Sequence, residues 1–305
     1  MINLEIPRKF EPLVGQAHTV AVEVLRPISR KYDAAEHEYP KELDMLAALI
    51  DGLDDGGSSS GAGASGVSQA AKNGDGGNRN GSNIASVLSI IEMCWGDVGL
   101  LLTMPRQGLG NSAIAAVADD EQKERFAGKW AAMAITEPEA GSDSAAIRTT
   151  AVLDGDEYVL NGEKIYVTSG ERAELVVVWA SLDRDIGRAA IKSFVVERSN
   201  PGLKLDRLEH KLGIRASDTA AFILDDCRVP KENLLGSPEI DTKKGFAGVM
   251  QTFDNTRPLV AAMAVGVASA SLERTRELLE EAGIEIDFDA PAYGQHAAAE
   301  AWLEM

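Results

Sequence analysis

The sequence predicts an α+β fold with an N-terminal helical domain, a central antiparallel β domain and the start of a C-terminal helical domain. Apolar residues recur at helical spacing in the first and last thirds of the chain, whereas short β-prone runs separated by turn dipeptides fill the middle third. The 305 residues are enough to bury a sizeable core. We expect the three domains to span residues 1–130, 131–236 and 237–305.

Composition and charge limit the partners of the chain. Thirty Lys plus Arg against 48 Asp plus Glu give a formal net charge of -18, which would repel nucleic acid and anionic membrane surfaces. The sequence offers no run of the roughly 18 apolar residues that a membrane span needs, and its first residues lack the apolar core of a signal peptide. We therefore expect a cytoplasmic protein that binds neither nucleic acid nor membrane.

Two helices are predicted in the N-terminal domain between about residues 11 and 53. The apolar positions that indicate the second of them follow Pro40 and are Leu43, Leu46, Ala47 and Ile50. Residues 54–83 are dominated by Gly, Ser, Asn and Asp, so burial cannot offset their ordering entropy and we predict a disordered surface loop. Helical spacing resumes from Ile84 to Trp95 and again over residues 113–128.

The β domain is predicted from the alternation of β-prone runs and turns. Asp154-Gly155 and Asn161-Gly162 suit tight hairpin turns because glycine accepts a positive φ. Further strands are expected over residues 175–182, 190–197 and 219–226.

The helical pattern returns from Lys244 and extends to about Glu281. The residues expected to form one face of this last helix are Phe246, Val249, Met250 and Phe253.

Two strand ends carry an unusual density of polar groups. The run ITEPEAGSDS, residues 135–144, follows the apolar run WAAMA, which indicates the end of a buried strand. The run YVTSG, residues 166–170, ends a second strand with an aromatic ring and two hydroxyls. An aromatic side chain can cover a flat ring while a threonine bonds its rim, so the two ends together predict a site for a polar, planar ligand. Each end alone could equally be a capped strand or an ordinary turn.

Several motifs, in this order, resemble the acyl-CoA dehydrogenase family. They are TEPEAGSD at 136–143, DGDEYVLNGEKIYVTSG at 154–170, KLGIRASDT at 211–219 with DDCRVPKENLLG at 225–236, and FDNTRPLVAAMAVGVA at 253–268. The resemblance runs from about residue 85 to 305. It implies N-terminal helices, a central β domain and a C-terminal helical bundle, with FAD bound between the β domain and the bundle.

The resemblance also implies roles for individual residues. Positions that match the flavin-binding segments are Ile135, Thr136, Gly141, Ser142, Tyr166 and Thr168, with the aromatic ring covering the flavin and Thr168 near its reactive nitrogen. Ser142, Asp254 and Arg257 match positions along the acyl-CoA channel, although Asp254 and Arg257, three apart on a helix, could also form an internal salt bridge. Lys211 and Arg215 are further candidate cations for the anionic CoA tail, and surface solvation explains them as well.

The implied reaction is the α,β-dehydrogenation of an acyl-CoA thioester, with electrons passed to an electron-transfer flavoprotein. Two departures from the family pattern stand against a self-sufficient enzyme. No catalytic base is identified, because the usual glutamate would lie beyond residue 305 and the alternative position is Thr256, which is not a carboxylate. Residues 285–289 match the segment that meets the flavin pyrophosphate, and there Glu285 and Asp289 would repel it.

These departures predict a homo- or hetero-tetramer in which a sister acyl-CoA dehydrogenase subunit completes the site. A non-catalytic structural subunit and a flavin acyl-CoA oxidase are the alternatives. Gly108-x-Gly110-x-x-Ala113 imitates a dinucleotide-binding fingerprint, but its surroundings favour a turn between helices.

Metal and thiol chemistry are not expected. The four histidines, His18, His37, His210 and His296, show no metal-ligand spacing. Cys94 and Cys227 are far apart in sequence and are expected to be inert packing residues.

Overall fold

The computed structural model describes residues 6–47, 82–105, 108–241 and 247–284. In these ranges, helices precede and follow one seven-stranded sheet. The helices on the N-terminal side are α1 Glu11–Val20, α2 Arg26–Ala35, α3 Ser82–Gly96, α4 Val98–Thr103, α5 Leu109–Val117 and α6 Asp120–Arg125. The strands are β1 Ala131–Ala134, β2 Thr150–Asp154, β3 Glu157–Thr168, β4 Leu175–Ser181, β5 Ile191–Glu197, β6 Leu203–Leu208 and β7 Thr219–Pro230, and helix α7 spans Ala247–Glu281.

The N-terminal helices follow the predicted periodicity, with breaks that have local causes. A π-helical turn, Ala21–Leu25, joins α1 to α2 just before Pro27, which has no N–H to donate to the preceding turn. Asp119 accepts a hydrogen bond from Gln122 N at 2.8 Å, and the Gln122 side chain accepts one from Asp119 N. This capping box starts a new helix, so the predicted helical stretch at 113–128 is two helices, α5 and α6.

Most of the loop predicted at residues 54–83 lies outside the described residues. Its last two residues, Ser82 and Asn83, already belong to α3, so the predicted boundary was too late at that end. Residues 42–47 are helical, as predicted, whereas Ile50 lies outside the described ranges.

The sheet has the order β1-β4-β2-β3-β7-β6, and β5 pairs with the free side of β4. The pairings β2–β3, β3–β7, β4–β5 and β6–β7 are antiparallel. The prediction of an antiparallel domain is incomplete, because β4 runs parallel to β1 and meets β2 in one parallel pair. Parallel pairing needs a long crossover, and the β2–β3 hairpin between β1 and β4 provides it.

One of the two predicted hairpin turns is confirmed. The turn that joins β2 to β3 consists of Gly155 and Asp156, one residue later than predicted, and Gly155 has a φ of 66°. The prediction for Asn161-Gly162 is wrong, because both residues lie inside β3. Gly162 is needed there for another reason: a Cβ would lie 2.4 Å from Thr149 Oγ1.

Two buried clusters cover the two faces of the sheet. Val176 and Val178 of β4 face the first cluster with Phe194, whereas Val177 faces the second, as the alternation of a strand requires. The second cluster includes Ile135 and residues of α5, and Phe253 of α7 packs against it. Helices α5 and α7 therefore pack on the face of the sheet that the second cluster covers.

A third buried cluster joins the N-terminal helices to α7. It contains Leu25, Ile90, Leu100 and Leu259. Of the predicted α7 face, Phe253 is half-buried and Met250 is 40% exposed, and the side chains of Phe246 and Val249 lie outside the described ones. None of the described helices has the length and apolar character that crossing a bilayer requires.

Candidate functional site

The two polar strand ends singled out in the sequence meet in space. The chain leaves β1 at Ala134, and the carbonyl of Thr136 accepts a hydrogen bond from Ile165 N of β3 at 2.9 Å. Residues 135–142 and 164–169 therefore form one continuous surface, called here the β1–β3 edge. The two segments are therefore adjacent, and their joint binding of a ligand stays a prediction.

Tyr166 occupies a backbone bulge at this edge. Lys164 pairs with Phe222 and Val167 with Ala220, so β3 carries one residue more than β7 across this step. Tyr166 has a φ of 58°, in the left-handed region that tyrosine rarely adopts, and is 62% exposed. The bulge turns its ring out of the sheet, as bulges commonly do near binding sites.

The other predicted flavin contacts lie around Tyr166. Ile135 is buried in the second cluster and Thr136 is half-buried, whereas Gly141 and Ser142 are exposed. A Cβ on Gly141 would meet no atom within 4 Å, so the turn faces open space. Thr168 ends β3 opposite Thr219. Within the described part of the chain, the hydroxyls of Thr136, Ser142 and Thr168 have no hydrogen-bond partner.

A buried ion pair beneath the edge was missed by the sequence analysis. Lys164 is fully buried and Glu137 is 6% exposed, with 2.7 Å between Nζ and Oε1. Lys164 Nζ also donates to the Ile135 carbonyl at 3.1 Å. The available signal was strand parity, because Lys164 shares the inward parity of Tyr158 and Leu160 along β3.

The Glu137 carboxylate gathers three further hydrogen bonds. It accepts from Arg148 N at 2.6 Å and from Thr149 through both its N–H, at 3.0 Å, and its hydroxyl, at 2.5 Å. Burial alone would raise the pKa of Glu137, but the charge of Lys164 and these hydrogen bonds lower it overall. Burial lowers the pKa of Lys164 to about 8, against the opposing effect of Glu137.

The predicted acyl-CoA residues on α7 form a surface pair. Arg257 Nη1 lies 3.0 Å from Asp254 Oδ1, with both side chains more than half exposed. The guanidinium lies over the Phe253 ring at 5.7 Å from its centroid. The two side chains bond each other, as the alternative allowed, but at the surface, and the structure shows no contact between them and Ser142 within the described residues.

Lys211 and Arg215 are half-buried and bond other groups of the protein. Lys211 Nζ donates to the Ser217 carbonyl and, at 2.7 Å, to Thr219 Oγ1, and burial lowers its pKa. Arg215 Nη2 donates to Glu36 Oε2 at 3.3 Å. Their contacts favour a structural role over surface solvation.

Two histidines that appear unrelated in the sequence come together in the structure. His37, His210 and Glu36 place three ligand-type atoms within 4.8 Å of one another. Hydrogen bonds from His210 and the Lys211 N–H, with Arg215 adding to them, lower the pKa of Glu36 to about 2. These hydrogen bonds to Glu36 join the end of α2 to the β domain. His18 bonds Glu92 elsewhere, and His296 lies outside the described residues.

The glycines of the apparent dinucleotide fingerprint serve packing. A Cβ on Gly108 would lie 2.6 Å from the Ala131 carbonyl oxygen, and one on Gly110 would lie 2.3 Å from that of Ala132. They allow α5 to approach β1, and the preceding element is helix α4, as the turn interpretation predicted. Cys94 and Cys227 are buried, which raises the pKa of both thiols to about 12 and agrees with an inert packing role.

Comparison with known proteins identifies this arrangement. Residues 132–227 match the family model for the acyl-CoA dehydrogenase middle domain. The chain is 31% identical over 291 residues to acryloyl-CoA reductase (NADH) of Anaerotignum propionicum, a match that covers 92% of this chain and 68% of that protein. The chain belongs to the acyl-CoA dehydrogenase family.

Other family members differ from it in length. A match with the short-chain specific acyl-CoA dehydrogenase of Clostridium acetobutylicum is 37% identical over 206 residues and covers 66% of this chain but only 53% of that protein, about half its length. Butyryl-CoA dehydrogenase from Megasphaera elsdenii shares the fold, with a TM-score of 0.76, 28% identity and coverage of 99% of this chain and 76% of that one. A chain in the structure of the electron transferring flavoprotein of Acidaminococcus fermentans also shares the fold, with a TM-score of 0.71 and 28% identity. That match covers 99% of this chain and 75% of the other chain.

Proposed function

We propose that this acyl-CoA dehydrogenase family member is a FAD-dependent subunit that catalyses the α,β-dehydrogenation of an acyl-CoA thioester. The observation that carries the proposal is the β1–β3 edge. It presents the hydroxyls of Thr136 and Thr168, which have no partner among the described residues, around an exposed tyrosine ring held in a strained conformation.

The residues of the edge fit a flavin. Thr136, Gly141 and Ser142 would hold the polar rim of the ring, because the hydroxyls of this turn have no partner in the described part of the chain and the space above its glycine is open. Tyr166 would cover one face of the ring and Thr168 would lie near its reactive nitrogen. When bound, the flavin supplies the hydride acceptor for the β-hydrogen of the thioester. Preorganised donors at its rim favour the electron-rich reduced ring.

The substrate channel is proposed to run past Ser142 and the exposed pair of Asp254 and Arg257. Arg257 is a candidate partner for an anionic group of CoA, since its bond to Asp254 is exposed and therefore weak. The α-proton needs a base that none of these residues provides. The Thr256 hydroxyl donates a hydrogen bond to the Thr252 carbonyl at 3.1 Å, so this hydroxyl is bonded to the backbone of its own helix. We propose that the base comes from outside the described residues or from a sister subunit.

Electrons are proposed to pass to an electron-transfer flavoprotein, and the working form is proposed to be a homo- or hetero-tetramer. Glu285 and Asp289, which would repel a pyrophosphate, lie outside the described residues and support the heteromeric form on sequence grounds alone.

The reaction is tested by mixing the flavin-loaded protein, with its sister subunit, with saturated acyl-CoA thioesters without oxygen. Loss of the oxidised flavin absorbance together with formation of the enoyl thioester is expected. Rapid recovery of the absorbance on admitting oxygen would instead indicate an oxidase. If the complex reacts equally well with this chain's edge mutated, the chain is a structural subunit and the proposal fails.

A further inference from the structure

The orientation of one peptide bond at the β1–β3 edge depends on the buried lysine. Lys164 Nζ donates to the Ile135 carbonyl at 3.1 Å and is fixed by Glu137 Oε1 at 2.7 Å. In a trans peptide, the carbonyl and the N–H of the next residue point in opposite directions. Because Lys164 holds the Ile135 carbonyl toward the interior, the Thr136 N–H points to the opposite side.

The neighbouring peptides are held as well. The Thr136 carbonyl accepts from Ile165 N at 2.9 Å, and Glu137 N donates to the Ala140 carbonyl at 3.1 Å. The Thr136 hydroxyl has no partner among the residues that the structure describes. The N–H and hydroxyl of Thr136 are thus two donors of one residue at a rigid position.

We propose that Lys164, held by Glu137, is a positioning residue that aims both donors of Thr136 at the acceptor-rich rim of a planar heterocycle. The inference rests on the proposed function, in which that heterocycle is the flavin ring. Lys164 is fully buried and does not touch the ligand. It acts through the Ile135–Thr136 peptide alone.

The chemistry of the pair suits this task. A buried ion pair contributes little net stability compared with apolar residues of the same volume, so stability alone does not explain it. An apolar residue at position 164 would leave the Ile135 carbonyl without its donor. Because the two charges are opposite and Glu137 is held by Arg148 and Thr149, the pair fixes the peptide without adding net charge beneath the ligand.

The test compares three variants. K164M/E137Q removes both charges together, keeps an acceptor at position 137 for the bonds from residues 148 and 149, and deprives the Ile135 carbonyl of its donor. E137Q alone keeps Lys164. F194A removes a buried ring of the first cluster, on β5, and is the control for general loss of stability.

The measured quantities are the FAD dissociation constant and the melting temperature. The double variant is expected to bind FAD about tenfold more weakly, the equivalent of one well-placed hydrogen bond. E137Q is expected to lose less affinity for FAD than the double variant. F194A is expected to have a lower melting temperature without a comparable loss of affinity for FAD. Equal FAD affinity in the wild type and the double variant would overturn the positioning role and leave the proposed function standing.

A second readout needs no flavin. Amide hydrogen exchange over residues 133–141 is expected to speed up in the double variant but not in F194A. Unchanged exchange there would overturn the inference. Should the wild type bind no FAD even with a sister subunit, the proposed function fails, and this exchange measurement alone decides whether Lys164 orders the peptide.

Discussion

Among single residues, Tyr166 combines an unfavourable backbone conformation with an exposed position of its ring. A tyrosine at a φ of 58° is strained, and such strain persists where the surrounding structure imposes it. The family resemblance predicted a ring-covering role for Tyr166, but the sequence gave no sign of the bulge, because the extra residue is defined only against the partner strand β7.

Replacing Tyr166 by glycine should separate stability from binding. Glycine accepts the left-handed conformation, so Y166G is expected to keep the free energy of unfolding within about 1 kcal/mol of the wild type. The affinity for FAD should fall, since the ring that we propose covers the flavin is gone. Urea unfolding and FAD titration check both halves. Unchanged FAD affinity in a stable Y166G variant would remove Tyr166 from the site.

Gly110 offers a test of close packing. Its missing Cβ would meet the backbone carbonyl oxygen of Ala132 at 2.3 Å, and backbone cannot yield as a flexible side chain can. We expect G110A to lose about 2 kcal/mol or more in the free energy of unfolding.

The matched control is G15A. Gly15 lies in α1 and a Cβ there would meet nothing within 4 Å, so G15A should gain about 0.5–1 kcal/mol. Similar effects of the two substitutions would contradict the packing of α5 on β1.

Among the helices and strands, the periodicity of apolar residues predicted the elements that depend on local sequence alone. Strands β4, β5 and most of β7 and the end of α7 at Glu281 follow from apolar runs and helical spacing. The predictions that were wrong concerned features that depend on residues distant in sequence. The NG dipeptide at 161 predicted a turn, but Gly162 serves a close approach to Thr149, which no local pattern reveals.

For the candidate site, the sequence indicated the two strand ends but not the buried ion pair beneath them. Polar strand ends revealed where the edge would lie, because such groups need a partner or a ligand. The supporting pair of Glu137 and Lys164 was not found, because both look like ordinary surface charges until the fold buries them.

The pair that links β1 to β3 should make stability depend on alkaline pH. Burial lowers the pKa of Lys164 to about 8 in the folded chain, below its ordinary value of 10.5, so between these pH values the unfolded state binds more protons. Stability contributed at this position therefore rises with pH across that window, by at most about 1.4 kcal/mol per pH unit.

The measurement is the free energy of unfolding of the wild type minus that of K164M/E137Q, followed from about pH 7 to about pH 10. The difference should move in favour of the wild type as the pH rises. A difference that stays constant would mean that Lys164 does not titrate in this range.

At the scale of the whole molecule, the net charge of -18 opposes an anionic substrate. Long-range repulsion slows association and is screened by salt, so the association rate of an acyl-CoA should rise with ionic strength. Stopped-flow measurements at low and physiological salt test this, with a truncated thioester that lacks the CoA phosphates as the control. A rate that falls with salt would show that local cations such as Arg257 outweigh the overall charge.

We propose that this chain contributes a flavin site through its β1–β3 edge. The most direct measurement is the visible absorption spectrum of the purified chain, alone and after co-expression with a sister acyl-CoA dehydrogenase subunit. We expect oxidised flavin bands in the co-purified complex, weak or absent bands in the chain alone, and weaker bands in a complex whose edge carries Y166G. A complex without flavin bands, or one whose bands are indifferent to this edge, would contradict the proposal.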